Sequence, residues 1–261
     1  MKKIEKPAHL QNKYGSQFQD ESVATAYQSR PPYPPETFEI LVSLGNKTEN
    51  ILELGAGTGD LTIELARRVK HIDAVEPSAA MLKNAFNKAD AQRDNLHWHQ
   101  LPAERFSPIR EYDLVCAGQS LHWMDWYVVL PKIAGWLVAG GFLAIVERQV
   151  IEHPWNQALY NLISHYSTNR DFVPYDLVSE LTSRGLFREV GRQMTEPVAF
   201  EQTMEQYIES FHSRNGFSRE RMEPEKAAEF DAAVRAIVEP YSRLGQIYGQ
   251  VTGIIIWGHP L

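Results

Sequence analysis

Cysteine, long hydrophobic runs and clusters of basic residues are scarce in this 261-residue sequence. Its single cysteine, Cys116, rules out an internal disulfide framework and disfavours a zinc site built on cysteines. No stretch approaches the roughly 18 apolar residues that a membrane-spanning helix needs. Acidic side chains outnumber basic ones by 33 to 26, and no dense Lys/Arg run indicates a nucleic-acid surface. These absences predict a cytoplasmic protein with neither a nucleic-acid nor a membrane partner.

The segment between residues 50 and 150 alternates short apolar runs with stretches of helical spacing. Strands are predicted at 51–54, 71–76, 95–101, 112–117 and 142–146. Amphipathic helices follow the first two strands, and a glycine pair ends another helix before the fifth. Strands that alternate with helices form right-handed βαβ units around a parallel sheet. The sequence therefore predicts an α/β fold.

Four segments are predicted along the chain. Residues 1–35 form an N-terminal arm or lid, and residues 36–150 form the sheet core. Residues 151–217 form a cap insertion with one late strand, because their aromatic-rich helical stretches are too long for simple connections. Residues 218–261 supply a C-terminal helix and a final strand that complete the core.

A glycine cluster follows the first predicted strand and opens a helix. Gly55, Gly57 and Gly59 allow the backbone to approach a ligand without an intervening Cβ. Glu76 ends the second strand 21 residues after Gly55, close to the ~20-residue spacing at which an acid accepts the hydroxyl groups of a ribose. The alternative is a tight strand–helix turn with Glu76 as a solvated strand end. Strand, loop, helix and spaced acid together favour a nucleotide cofactor.

The residues around the glycines distinguish between cofactors. A dinucleotide loop needs its third glycine at position 60, where this sequence has Asp60. Glu53 adds a second acid just before the loop. Negative charge disfavours a pyrophosphate and favours a cationic sulfonium ligand with an ammonium group, which is S-adenosylmethionine. An NAD(P)-dependent oxidoreductase and a non-catalytic S-adenosylmethionine-binding protein stay open as alternatives.

Four segments carry a resemblance to a known family. ILELGAGTGDLT, AVEPSAAML, LPAERF and YDLVCAGQSLHWMD resemble, in order, successive motifs of the class I S-adenosylmethionine-dependent methyltransferases. The sequence is most similar to the small-molecule branch, methyltransferase type 11 or trans-aconitate methyltransferase-like. The resemblance implies an enzyme with a Rossmann-like, seven-stranded, mostly parallel sheet, an antiparallel last strand and helices on both faces. It also implies S-adenosyl-L-methionine as cofactor, S-adenosyl-L-homocysteine as product, a small-molecule acceptor, and a monomer or homodimer.

The resemblance assigns cofactor contacts to the core and to the arm. The residues are Tyr27, Arg30, Glu53, Gly55, Ala56, Gly57, Glu76, Pro77, Ser78, Met81, Ala103, Glu104, Ala117, Gly118 and Gln119. Glu53 would bind the amino group of the methionine part, and Glu76 the ribose. Tyr27 and Arg30 would belong to a lid over the cofactor, or else to a rigid proline-rich entry to the first helix.

Few residues of the sequence indicate where the methyl acceptor binds. His122 follows the fourth strand and is the candidate catalytic residue, either as base for a hydroxyl acceptor or as a wall of the pocket. A carboxylate acceptor needs no base but needs a cation such as Arg30, Arg170 or Arg214. O-methylation of a carboxylate or a hydroxyl is therefore expected. His97 and His99 share a strand face, but without a third ligand they predict no metal site.

Overall fold

The computed structural model describes residues 5–45 and 48–261, so the first four residues of the predicted arm lie outside the described residues. These ranges form one mixed sheet with the order β3-β2-β1-β4-β5-β8-β6, and β7 pairs with β8 off this path. The strands are β1 Asn50–Leu54, β2 His71–Val75, β3 Leu96–His99, β4 Tyr112–Gly118, β5 Leu137–Val150, β6 Phe187–Met194, β7 Val198–Thr203 and β8 Gln246–Pro260. Strands β1 to β5 run parallel, and β8 runs antiparallel to β5. The predicted α/β class with an antiparallel last strand is confirmed.

Helices cover both faces of the sheet. They are α1 Asn12–Gly15, α2 Glu21–Ala26, α3 Pro35–Ser43, α4 Thr62–Ala66, α5 Ala79–Phe86, α6 Trp126–Trp136, α7 Asn156–Tyr166, α8 Leu177–Ser183, α9 Met204–His212 and α10 Pro224–Val238. One face of the sheet packs on α6 and α8 through a cluster that contains the fully buried Trp126. The other face packs on α3 and α4 through Leu41 and Leu65. Burial of these apolar side chains is the main stabilising contribution, about 1.5–3 kcal/mol for each large residue.

The described ranges contain eight strands where seven are predicted. The segment after Leu186, predicted as one late strand, is divided into β6 and β7, which pair with successive parts of β8. Pro197 lies in the gap between them, and because proline has no backbone N–H it cannot donate to a sheet ladder. The sheet is therefore seven strands wide, with two short strands along one edge of β8.

The C-terminal half is organised differently from the predicted segments. Helices α7, α9 and α10 pack on one another around the fully buried Phe230, and we call them, with the loops 167–176 and 213–223, the helical subdomain. Helix α10 belongs to this subdomain rather than to the sheet core. Helix α8, predicted within the cap, instead packs on the sheet. Residue spacing indicates that a helix has an apolar face but not which surface covers it.

The arm is a series of short helices that lies against the core. Val23 and Ala24 of α2 pack on Ala80 and Met81 of α5. Gly15 lies so near the ring of Trp123 that a Cβ atom would be 3.2 Å from it. No helix among the described residues is long and apolar enough to cross a membrane.

Candidate active site

A cavity of about 1290 Å³ opens at the carboxyl ends of β1, β2 and β4. Its walls are the glycine loop, the segments that follow β2, β3 and β4, and the inner side of the arm. In an open parallel sheet, ligands bind outside the carboxyl ends of the strands, where the strand order reverses. That reversal lies between β1 and β4, which are neighbours although β2 and β3 separate them in the chain.

The glycine loop adopts a backbone conformation that few other residues tolerate. The φ angles of Gly55, Gly57 and Gly59 are +73°, +56° and +79°, in the left-handed region. The amides of Gly55 and Ala56 donate to the carbonyl of Val75 at 2.8 and 3.0 Å, which ties the loop to β2. A Cβ on Gly55 would lie 2.4 Å from that of Ser120, whereas a Cβ on Gly57 would meet nothing within 4 Å.

Glu76 connects the end of β2 to the glycine loop. One carboxylate oxygen accepts the amide of Gly57 at 2.8 Å, and the other accepts the amide of Ser78 at 2.8 Å. The side chain is 6% exposed and lines the cavity. Burial raises its pKa to about 6 despite these two hydrogen bonds. Glu76 therefore positions the loop and also presents a carboxylate to the cavity.

Glu53 is the second buried carboxyl group of the cavity wall. It is 2% exposed and accepts the hydroxyl of Thr62. Burial, together with the nearby charges of Asp60 and Glu76, raises the pKa of Glu53 to about 8. A cationic group in the cavity would favour the ionised carboxylate, because opposite charges attract strongly where water is excluded.

Thirteen of the fifteen predicted cofactor residues lie together in the cavity wall. They are Tyr27, Arg30, Glu53, Gly55, Ala56, Gly57, Glu76, Pro77, Met81, Ala103, Glu104, Gly118 and Gln119. Ser78 and Ala117 do not line the cavity. The Ser78 hydroxyl accepts the amide of Met81 and begins α5, and Ala117 is fully buried in the sheet core.

His122 lies beside the cavity and not in its lining. Its ring contacts Trp123 at a centroid distance of 4.7 Å and lies 6.5 Å from Tyr175. Burial, with the charges of Lys6 and Arg30, lowers the pKa of His122 to about 3. The imidazole is therefore neutral at pH 7 but a weak proton acceptor, whereas an efficient general base has a pKa near the working pH.

A charged corner of the cavity was not predicted. Arg148, at the carboxyl end of β5, lines the cavity with Tyr33 and Asp60. Its guanidinium lies 4.6 Å from the Tyr33 ring centre, donates to the Pro31 carbonyl at 2.6 Å, and lies 3.3 Å from the Asp60 carboxylate. The Arg148 side chain is only 7% exposed. The signal was its place two residues beyond the strand predicted at 142–146, near a strand end as Glu76 is.

Two of the three cations expected for an acceptor carboxylate lie elsewhere. Arg30 lines the cavity and donates to the hydroxyl and carbonyl of Ser213 at 2.8 and 2.7 Å. Arg170 instead donates to backbone carbonyls at the end of α7, and Arg214 stacks on Phe211. Neither lines the cavity, and no residue of the predicted cap, 151–217, does so.

The first described residues of the arm, Glu5 and Lys6, also line the cavity. The ammonium of Lys6 donates to the carbonyls of His122 and Met124 at 2.7 and 2.9 Å. Burial lowers the pKa of Lys6 to about 8. Phe18 packs on Trp123 with ring centroids 5.4 Å apart. The arm therefore contacts the segment that follows β4 through both a polar and an aromatic contact.

His97 and His99 take separate structural partners. The ring of His99 lies 2.5 Å from the carboxylate of Asp73, while that of His97 packs on His71 at 4.7 Å. Across residues 5–45 and 48–261, no group of three or more His, Cys, Asp or Glu side chains has the arrangement for a metal ion.

Comparison with known proteins identifies the sheet core. Residues 51–141 match the family model described as a methyltransferase domain. An uncharacterized methyltransferase of Mycobacterium tuberculosis is 34% identical over 128 residues, which are 48% of this chain and 50% of that protein. A malonyl-acyl-carrier-protein O-methyltransferase of Ilyobacter polytropus is 32% identical over 155 residues, 57% of each chain. The chain thus spans about half the length of the curated relatives it matches.

A solved structure has a similar fold over most of the chain. A candidate type II methyltransferase of Anaeromyxobacter dehalogenans has a TM-score of 0.63 and 23% identity, covering 88% of this chain and 97% of its own. The parallel sheet, the glycine loop after β1 and the acid after β2 agree with the fold that the resemblance to class I S-adenosylmethionine-dependent methyltransferases implies. Residues 51–141 therefore match a methyltransferase domain, and this match supports S-adenosylmethionine as the cofactor.

Proposed function

We propose that this protein transfers the methyl group of S-adenosylmethionine to a carboxylate oxygen of a small molecule and releases S-adenosylhomocysteine. The observation that carries the proposal is the buried guanidinium of Arg148, which faces the cavity from the end of β5. Its Nε and Nη2 atoms donate to no described residue. Nη1 is paired with Asp60, but buried N–H donors without partners are costly, so an anionic ligand that accepts from Nε and Nη2 would stabilise this corner.

The part of the cavity wall formed by the glycine loop and by the ends of β1 and β2 fits the cofactor. Glu53 would bind the ammonium of the methionine part, and Glu76 the ribose hydroxyls, next to a loop whose Gly57 leaves room for a ligand. Met81 and Ala103, which line the same cavity, would contact the adenine. When bound, S-adenosylmethionine supplies a methyl group on a positively charged sulfur. The two buried carboxyl groups suit such a cation, and Asp60 in place of a third glycine disfavours a dinucleotide.

The residues would act mainly by alignment and by excluding water. Alignment of two reactants contributes about 7–11 kcal/mol of a barrier. A carboxylate oxygen already carries the electron pair that forms the new bond, so no residue has to remove a proton. The low pKa of His122 agrees with such an acceptor better than with an alcohol, which would need a base. The name of one relative, malonyl-acyl-carrier-protein O-methyltransferase, also records transfer to oxygen.

Calorimetry with S-adenosylhomocysteine and with NAD tests the cofactor side. We expect binding of S-adenosylhomocysteine in the micromolar range and none of NAD. The reverse preference would exclude the methyltransferase proposal and support a nicotinamide-dependent oxidoreductase.

A screen of small carboxylates, phenols and amines for release of S-adenosylhomocysteine tests the acceptor side. We expect turnover with a carboxylate, a raised KM for that compound in Arg148→Met, and an unchanged KM in Arg170→Met, which lies outside the cavity. Turnover with phenols alone would favour hydroxyl methylation. Cofactor binding without turnover by any compound class would favour a non-catalytic binding protein.

A further inference from the structure

The arm has two sides with different partners. Its inner side lines the cavity at Gly15, Phe18 and Gln19, among others. Its outer side forms hydrogen bonds with the two loops of the helical subdomain. Lys13 pairs with Asp171 at 2.7 Å, and the amide of Ser22 donates to Glu220 at 2.7 Å. The helical subdomain therefore contacts the arm rather than the cavity.

One side chain of the subdomain contacts three successive parts of the arm. The guanidinium of Arg221 donates to both carboxylate oxygens of Asp20, at 2.6 and 2.9 Å. It also donates to the hydroxyl of Ser16 at 3.0 Å and the carbonyl of Lys13 at 3.4 Å. These contacts join α1, the following turn and the start of α2, a stretch in which several residues line the cavity. A planar guanidinium with five donors is suited to such multiple contacts.

Asp20 supplies the carboxylate through which the arm binds Arg221. Besides the two bonds from Arg221 it accepts the hydroxyl of Ser218 at 2.6 Å, and its side chain is only 12% exposed. Burial alone would raise the pKa of Asp20, but the hydrogen bonds from Arg221 and Ser218 hold it below its ordinary value. The carboxylate is thus ionised at pH 7 and bound from the subdomain side.

We propose that Arg221 and Asp20 are a positioning pair that holds the arm closed over the cofactor, so that the helical subdomain controls cofactor retention without touching the cofactor. The inference rests on the proposed function, because it takes the cavity to be the cofactor site.

The physical argument is a shift of population. A ligand that needs the closed arm binds with an apparent affinity reduced by the fraction of molecules in which the arm is closed. Loss of the pair lowers that fraction, because it removes the charged part of this contact. What stays is the buried hydrogen bond from the Gly216 amide to Gln17, a few further hydrogen bonds, and exposed pairs such as Lys13–Asp171 that contribute little. An arm that opens more often also releases the ligand faster. The dissociation rate should therefore increase more than the association rate changes.

The chain provides a matched control in Arg219. Its side chain is 34% exposed, as is that of Arg221, and it lies two residues away in the same loop. It pairs with Glu209 and Asp231 at 2.8 and 2.9 Å, both within the helical subdomain. Arg219→Ala therefore removes an equivalent ion pair from the same loop but no contact with the arm.

The test compares S-adenosylhomocysteine binding to the full chain, Arg221→Ala, Arg219→Ala, Asp20→Ala and the double variant Asp20→Ala/Arg221→Ala. We expect Arg221→Ala to weaken binding about five- to thirty-fold, between the effect of an exposed ion pair and that of a buried charged hydrogen bond, because Arg221 is partly exposed. Most of the change should be in the dissociation rate. Arg219→Ala should bind like the unchanged chain. The double variant should bind about as weakly as either single variant, because both remove the same interaction.

Equal affinity in Arg221→Ala and the unchanged chain would overturn the proposal, and so would an equal loss in Arg219→Ala. Should Arg221→Ala melt below the assay temperature, Arg221→Lys, which keeps the charge but loses the bidentate contact, replaces it with the same expected direction. Failure of the unchanged chain to bind S-adenosylhomocysteine would count against the proposed function. If the unchanged chain binds S-adenosylhomocysteine and Arg221→Ala binds it equally well, the result would count against the positioning pair alone.

Discussion

At the scale of single residues, Glu76 combines two tasks that sequence spacing cannot separate. Its carboxylate accepts two backbone amides and faces the cavity at the same time. We expect Glu76→Ala to weaken S-adenosylhomocysteine binding by about 10- to 100-fold, as charge-assisted hydrogen bonds are lost. The free energy of unfolding should also fall, by about 1–3 kcal/mol, because the amides of Gly57 and Ser78 lose their partner. Calorimetry and urea denaturation measure the two effects.

The surface residue Glu64 provides the control for that experiment. It pairs with Arg67 and Arg68 on the exposed side of α4, so Glu64→Ala should change neither quantity appreciably. Unchanged affinity in Glu76→Ala would show that Glu76 serves the loop and not the ligand.

Glu53 predicts a dependence of stability on pH. Its pKa of about 8 in the folded chain lies above the ordinary glutamate value of 4.5, because the group is buried. The proton is therefore bound more tightly in the folded state than in the unfolded state. This contribution to stability is complete below pH 4.5 and is lost as the pH rises through 8. The melting temperature of the unliganded chain should fall more steeply between pH 4.5 and 8 than the melting temperature of Glu53→Gln.

The same group predicts proton release on cofactor binding. A ligand ammonium beside Glu53 favours the ionised carboxylate and lowers its pKa. At pH 7 we expect S-adenosylmethionine binding to release protons, which is measured by calorimetry in buffers of different ionisation enthalpy. Glu53→Gln should abolish most of this release, and equal release in both proteins would assign the proton to another group.

At the scale of elements, two glycines of the glycine loop should have different roles. Gly55 should matter for folding of the loop, and Gly57 for ligand binding. Both Gly55 and Gly57 have positive φ angles, but a Cβ on Gly55 overlaps Ser120 while one on Gly57 meets nothing. Gly55→Ala should therefore lower the free energy of unfolding by about 2–4 kcal/mol, from backbone strain and overpacking together. Gly57→Ala should lose only about 1 kcal/mol yet bind S-adenosylhomocysteine weakly, since its methyl group extends the cavity wall. Equal destabilisation of the two variants in urea would contradict this distinction.

At the scale of the whole molecule, ligand binding should protect the arm and leave the outer helices unaffected. Residues 5–19 contribute many of the cavity-lining side chains, and α7, Asn156–Tyr166, contributes none. In hydrogen exchange, S-adenosylhomocysteine should slow the amides of α1 and the following turn, because exchange there requires local opening. The amides of α7 should exchange at the same rate with and without ligand. Comparable protection of α7 would mean that ligand binding orders the entire helical subdomain.

The sequence by itself determined the α/β class and placed the glycine loop, Glu76 and Gly118 at one edge of the sheet, whereas the resemblance to a family supplied the other predicted residues of the cavity wall. These features depend on local patterns: the glycine loop, Glu76 and Gly118 each lie where a predicted parallel strand ends, and such ends meet at one edge of a sheet. Backbone sterics and hydrogen bonding restrict these short segments to few conformations. Spacing along the chain was therefore sufficient to bring them together.

Only the tertiary structure decided the roles of Tyr33, Arg148 and Arg221, and the pairing of α10 with α7 instead of with the sheet. Arg148 meets Tyr33 across 115 positions of chain, and Arg221 meets Asp20 across 201. An amphipathic helix buries its apolar face equally well against several surfaces, and an arginine pairs with any accessible acid. The choice among such partners depends on how all the elements fill space together, which no local pattern of residues specifies.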